Sequence, residues 1–161
     1  MTDLTKAMAD ADQPLAIFEA IHQTVSDTVG VTLFTIMRLN REKGVAERIF
    51  SNMPEAYPAG GEKQMEPNKW TEIVEEREQT FVANTIEEIA EVFGDHELIQ
   101  SLGCESVMNV PINIRGQVVG TLNCLNVAGH YTPERVAASE ALKVPGALAF
   151  LMAQQAEELD R

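Results

Sequence analysis

Cations are in short supply in this chain: 12 lysines and arginines stand against 25 aspartates and glutamates over 161 residues, for a formal net charge of −13. A surface that follows nucleic-acid phosphates needs clustered positive charge, so no direct nucleic-acid partner is expected. Cysteine is rarer still. Cys104 and Cys124 are the only two, too few for a disulfide scaffold, and neither has a cation or histidine beside it in sequence to activate a thiolate. The three histidines, His22, His96 and His130, share no ligand spacing, so no metal site is expected. No run approaches the roughly 20 apolar residues of a membrane span. The opening MTDLTKAMADADQP also lacks the continuous apolar stretch of a secretory signal. These absences lead to an expectation of a soluble, cytoplasmic protein with no membrane partner, of a length that suits one domain with its own core.

What is present has clear punctuation. Residues 1–13 are polar and alanine-rich and are expected to fray. From Pro14 on, Leu15, Ile17, Phe18, Ile21, Val25 and Val29 follow a helical spacing that Gly30 stops. Residues 31–40 and 45–51 alternate as the two strands of a hairpin. Residues 52–67 hold three prolines and the Gly60-Gly61 pair, which predicts a long excursion; Tyr57 within it is a candidate to close over a ligand. After Pro67, Trp70, Ile73, Val74 and Arg77 share a helical stripe, residues 79–83 read as a short strand, and two short helices follow over 84–101. Thr132, Pro133 and Glu134 form a helix start. Beyond it, Val136, Ala137, Glu140, Ala141, Val144, Leu148, Leu151 and Met152 mark an expected inner band, with a kink predicted at Pro145 and Gly146.

Residues 102–126, LGCESVMNVPINIRGQVVGTLNCLN, read as a β-hairpin. A two-residue turn at Arg115 and Gly116 would pair Ile114 with Gln117 and mix polar with apolar residues on both faces. A three-residue turn instead pairs Asn113 with Gln117 and Asn109 with Thr121. On that register Met108, Val110, Ile112, Val118, Leu122 and Cys124 share an apolar face. Asn109, Thr121 and Asn123 interleave with Val107, Pro111, Val119 and Leu125 on the other. Apolar walls carrying a few amides are the material of small-molecule pockets.

The run VPINIRGQVVGTLNCLN and the YTPERV helix start resemble the central hairpin and following helix of GAF domains, small-molecule sensor modules of signalling proteins. The resemblance extends over residues 14–155, with 156–161 as the helix end. It implies an α+β, GAF/PAS-like fold: a central antiparallel sheet with the terminal helices on one face and a lid of short helices and loops on the other. Carried onto this chain, it places the ligand against Asn109, Thr121, Asn123, Val107 and Leu125, roofed by Trp70, Arg77 and residues 84–101. It further implies a homodimer through the first and last helices.

The NKxxFxxxDE pattern of cyclic-nucleotide-binding members is missing. Leu125 and Asn126 stand where phytochrome-like members carry a His pair, and no chromophore-linking cysteine is apparent. No cofactor is therefore assigned. The reading is a non-catalytic sensor of a small metabolite that either acts on a separate effector protein or sequesters its ligand, and the sequence does not choose between the two. Two alternatives are carried forward: a thiol enzyme resembling free methionine-R-sulfoxide reductases, with Cys104 as nucleophile and Cys124 resolving, and a ligand-free interaction domain whose polar sheet face is wet.

Overall fold

In the computed structural model, which describes residues 2–160, six antiparallel strands form one sheet in the order β3-β2-β1-β6-β5-β4. Helix α1 (Leu4–Ala9) and helix α2 (Leu15–Thr28) precede strands β1 (Leu33–Asn40), β2 (Val45–Ser51) and β3 (Glu62–Gln64). Next come α3 (Lys69–Thr71) with a π-helical turn (Glu72–Glu76), β4 (Phe81–Ala83), α4 (Ile86–Ala90) and α5 (His96–Ser101). The hairpin β5 (Ser106–Ile114) and β6 (Gln117–Asn126) leads to α6 (Pro133–Ala138), a 3-10 turn (Ser139–Leu142) and α7 (Lys143–Leu159). The fold is the expected α+β arrangement. Residues 4–9, expected to fray, form α1, capped by Asp3 and packed through Leu4 and Ala7 on the main core.

Side-chain alternation splits the interior into two cores. Phe34 and Ile36 of β1, Met108, Val110 and Ile112 of β5, and Leu122 and Cys124 of β6 meet α2 and α7 on one face. Leu33, Val107 and Leu125 point the other way, onto Trp70, Val74, Ile89 and Ile99 of the lid.

The hairpin closes differently from the sequence expectation. Arg115 and Gly116 form a two-residue turn with φ of 56° and 80°, and Ile114 pairs with Gln117. This is the primed turn that suits the right-handed twist of paired strands. A register shift after Ile112 then opposes Asn113 to Val118 and Ile112 to Gly120. The bulge at Val119 restores the parity that a plain two-residue turn would have lost, so Asn109 faces Asn123, and Pro111 faces Thr121. Gln117, Val118 and Val119 exchange faces relative to expectation: Gln117 lies opposite Ile114, Val118 packs with Leu39 and Ala46, and Val119 against the helix-side core.

The last helical segment keeps part of its expected inner band, since Val136, Leu148 and Met152 pack on the core, and turns the rest of it outward. Val144 is 81% and Leu151 49% exposed, and Ala137, Glu140 and Ala141 also face outward, whereas Gly146, Ala149, Phe150 and Ala153 are buried. The sheet face beneath already carries Ile112 and Leu122, so the helix can approach only with its small residues; a Cβ at Gly146 would lie 2.7 Å from Ile112 Cδ1. The Phe150 ring fills the space over Gly120, where a Cβ would lie 2.4 Å from Cζ. No break falls at Pro145 and Gly146, where a kink was expected; the helical run is instead interrupted before them, by the 3-10 turn at Ser139–Leu142. Pro145 thereby falls in the first turn of α7, where its missing N–H is not needed. By length and composition alone Pro133–Leu159 is long and apolar enough to cross a membrane, which corrects the expectation of no such run; here it lies against the sheet.

Candidate functional site

Between the sheet and the lid lies a cavity of about 180 Å3. Its floor is built from alternate residues of four strands: Thr35 and Met37 of β1, Arg48 of β2, Asn109 of β5, and Asn123 and Leu125 of β6. The amides are buried, Asn109 to 2% and Asn123 to 7% exposure, so the wet polar face required by a ligand-free interaction domain is not what the fold contains. They form a continuous chain. The Trp70 indole N–H donates to Asn109 Oδ1 at 2.9 Å, and Asn109 Nδ2 donates to Asn123 Oδ1 at 2.7 Å. Thr121 Oγ1 donates to the same oxygen at 2.8 Å, and Asn123 Nδ2 donates to Thr35 Oγ1 at 3.0 Å.

The roof owes its geometry to local sequence. Asn68 and Thr71 cap α3 reciprocally, the Asn68 side chain accepting from Thr71 N and Thr71 Oγ1 accepting from Asn68 N, and this fixes Trp70 over the floor. The widened π turn follows, with Arg77 N bonded to Glu72 O, and Glu78 ends it at a φ of 55°. The extra residue in that turn rotates Arg77 off the Trp70 and Val74 stripe. Its guanidinium pairs with Glu72 at 2.6 Å and does not line the cavity.

At the rim the excursion over residues 52–64 is tied down through an aromatic. The Arg48 guanidinium lies 3.8 Å from the Tyr57 ring centroid and donates to Pro58 O at 2.8 Å. The Tyr57 hydroxyl donates to Asp95 at the start of α5, joining the excursion to the lid helices. Burial, with the Asp95 hydrogen bond and charge, pushes the Tyr57 hydroxyl well above its ordinary pKa, so it remains a donor. Lys63 of β3 sits 5.3 Å from the Phe93 ring centroid.

Of the residues singled out from the sequence, Val107, Asn109, Asn123, Leu125 and Trp70 line this cavity. Thr121 is fully buried and reaches it only through Asn123, and Arg77 lies outside. Thr35 and Arg48 escaped the sequence reading, whereas Asp95 lies in the 84–101 segment expected to roof the site. The alternation of β1 was a usable signal for Thr35, which sits between Leu33 and Met37. Arg48 had none: a register shift in the β1–β2 pairing sets Met37 opposite Arg48 and Ile36 opposite Phe50, so strict alternation assigns Arg48 to the wrong face.

The two thiols do not form a constellation. Cys104 is buried in the lid-side core and Cys124 in the helix-side core, on opposite faces of the sheet. Burial raises both thiol pKa values, that of Cys124 to about 12, which leaves the thiol-enzyme alternative without an activated nucleophile.

A family model described as GAF domain matches residues 12–149. The chain belongs to the GAF domain family. Solved GAF domains share its fold at low sequence identity. The GAF domain of a two-component sensor histidine kinase from Bacillus halodurans superposes with a TM-score of 0.71 at 15% identity, covering 94% of this chain and 100% of that one. A GAF domain from a phosphoenolpyruvate-protein phosphotransferase of Coxiella burnetii gives 0.70 at 14%, covering 96% and 91%. The phycoerythrobilin-bound GAF domain of a cyanobacterial phytochrome gives 0.65 at 17%, covering 96% and 95%. No curated protein matches the sequence.

Proposed function

We propose that this GAF domain is a non-catalytic sensor that encloses a small metabolite between its sheet and its lid. The observation that carries this reading is the Trp70–Asn109–Asn123–Thr35 chain, four buried polar side chains aligned on the wall of a cavity with apolar flanks. At about 180 Å3 the cavity is below the roughly 300–1,000 Å3 of sites for drug-sized ligands, which favours a compact ligand over a linear tetrapyrrole. Val107, Leu125 and Trp70 supply apolar contact, Asn109 and Asn123 supply direction, and Thr121 holds Asn123 in its rotamer.

Signal output is assigned to a homodimer. Val144 and Leu151, one heptad apart, are exposed on the outer side of α7, and the half-buried Leu148 between them also packs on the helix-side core. This orientation of α7 supports the dimer reading, since Val144 and Leu151 are left exposed for a second copy. A cytoplasmic address and a separate effector protein complete the proposal. The test is native extraction followed by mass spectrometry, together with thermal stabilisation by a metabolite panel. A ligand at a hundredfold excess over its Kd adds about 2.7 kcal/mol, a rise of roughly 5–10 °C in Tm for a domain of this size. Protein that carries nothing and gains no stability from the panel contradicts the reading.

A further inference from the structure

We propose that the ligand is a small organic acid, with oxygen acceptors on the amide floor and its charge toward Arg48 and Lys63. This rests on the small-molecule reading of the same cavity. Asn123 Oδ1 accepts from both Asn109 and Thr121, and Asn109 Oδ1 accepts from Trp70, so the carboxamide oxygens are largely occupied within the protein. Each carboxamide nitrogen donates only once, and the Thr35 hydroxyl accepts from Asn123 without an acceptor for its own proton among the described residues. Two N–H groups and one O–H are left to a ligand, against two spare lone pairs, one on Asn109 Oδ1 and one on Thr35 Oγ1. The wall asks for acceptors.

In a chain with 25 acids and 12 bases, two cations line this one cavity, and neither Arg48 nor Lys63 forms an ion pair with a carboxylate among the described residues. Three carboxylates also line it: Glu62 is ion-paired with Lys43, and Asp95 accepts a hydrogen bond from the Tyr57 hydroxyl. The third, Glu66, is exposed at the rim. Arg48 is held in place by the Tyr57 ring and by Pro58 O, a pre-set geometry that suits a carboxylate. Met37 and Leu125 of the floor and Ile99 of the lid give an apolar stretch for a short hydrocarbon body.

The experiment compares isosteric acid and amide pairs, benzoate with benzamide and isovalerate with isovaleramide, by calorimetry on the full chain, on Arg48→Met and on Lys63→Met. The expected result is at least about tenfold tighter binding of the acid in each pair, with the preference lost in Arg48→Met and reduced in Lys63→Met. The acid-to-amide ratio is read within each variant, so a general weakening of the lid does not imitate the effect, and Arg48→Lys retains part of the preference. Amides that bind as well as acids overturn the acid assignment and leave the cavity reading standing. If neither member of either pair binds, the acid assignment also falls; native extraction then separates a different ligand class from a site that takes no ligand at all.

Discussion

Replacing Asn123 with alanine removes the hub of the buried chain. The Asn123 side chain takes part in three hydrogen bonds, accepting from Asn109 at 2.7 Å and Thr121 at 2.8 Å and donating to Thr35 at 3.0 Å. At about 1 kcal/mol net for each bond the loss is about 3 kcal/mol. Water entering through the adjacent cavity re-pairs one of the orphaned groups and lowers the expected loss to about 2 kcal/mol. Thr121→Val removes only one of the three bonds and is expected to destabilise by about 1 kcal/mol. The double variant should then fall short of the sum, because the Thr121–Asn123 bond can be lost only once. Urea unfolding followed by Trp70 fluorescence reads all three. An Asn123→Ala protein within about 0.5 kcal/mol of the parent would refute the reasoning, since it would mean the chain contributes no more than an ordinary surface contact.

Gly120→Ala is expected to destabilise by more than about 2 kcal/mol, because its Cβ would sit 2.2 Å from the Met37 carbonyl oxygen as well as against Phe150. Phe150→Leu should relieve only part of this, as urea unfolding of the double variant will show. Val144→Glu with Leu151→Glu should leave the monomer's stability within about 0.5 kcal/mol, since both side chains are exposed. The same pair should abolish the dimer in light scattering, and a variant that remains dimeric removes this seam. Burial lowers the His22 pKa below 6.5, opposed in part by Glu19. The unfolded state therefore takes up the proton first, and stability should fall as pH drops through about 6.5; a His22→Gln variant should lose less between pH 8 and pH 5.5 in urea titrations.

The architecture and the parity of the hairpin faces were legible because alternation over residues 106–126 is strong enough to survive a wrong turn assignment. Asn113 opposite Gln117 and the true pairing, Asn109 opposite Asn123, differ by two residues, which preserves the faces; the faces of Gln117, Val118 and Val119 were lost because nothing local announces the bulge. Helix α7 was misread for a different reason. It is apolar nearly all round, so periodicity does not choose a face; the close approach of Gly146 to Ile112 and Leu122 does, and that contact is set by tertiary packing. Trp70 was placed over the amides correctly as a stripe residue, whereas Arg77 was displaced by a π turn that no α-helical spacing rule contains. Arg48 needed knowledge of a shifted strand register.

Trp70 is the only tryptophan, so its indole N–H gives a single nitrogen-edited NMR signal, and the side-chain amides of Asn109 and Asn123 lie next to it along the hydrogen-bonded chain. Titrating the full chain with benzoate, or with whatever native extraction releases, should shift these three signals together and saturably, while the exposed Asn113 amide on the same hairpin stays still. A ligand that stabilises the protein yet leaves Trp70, Asn109 and Asn123 unmoved would contradict the account.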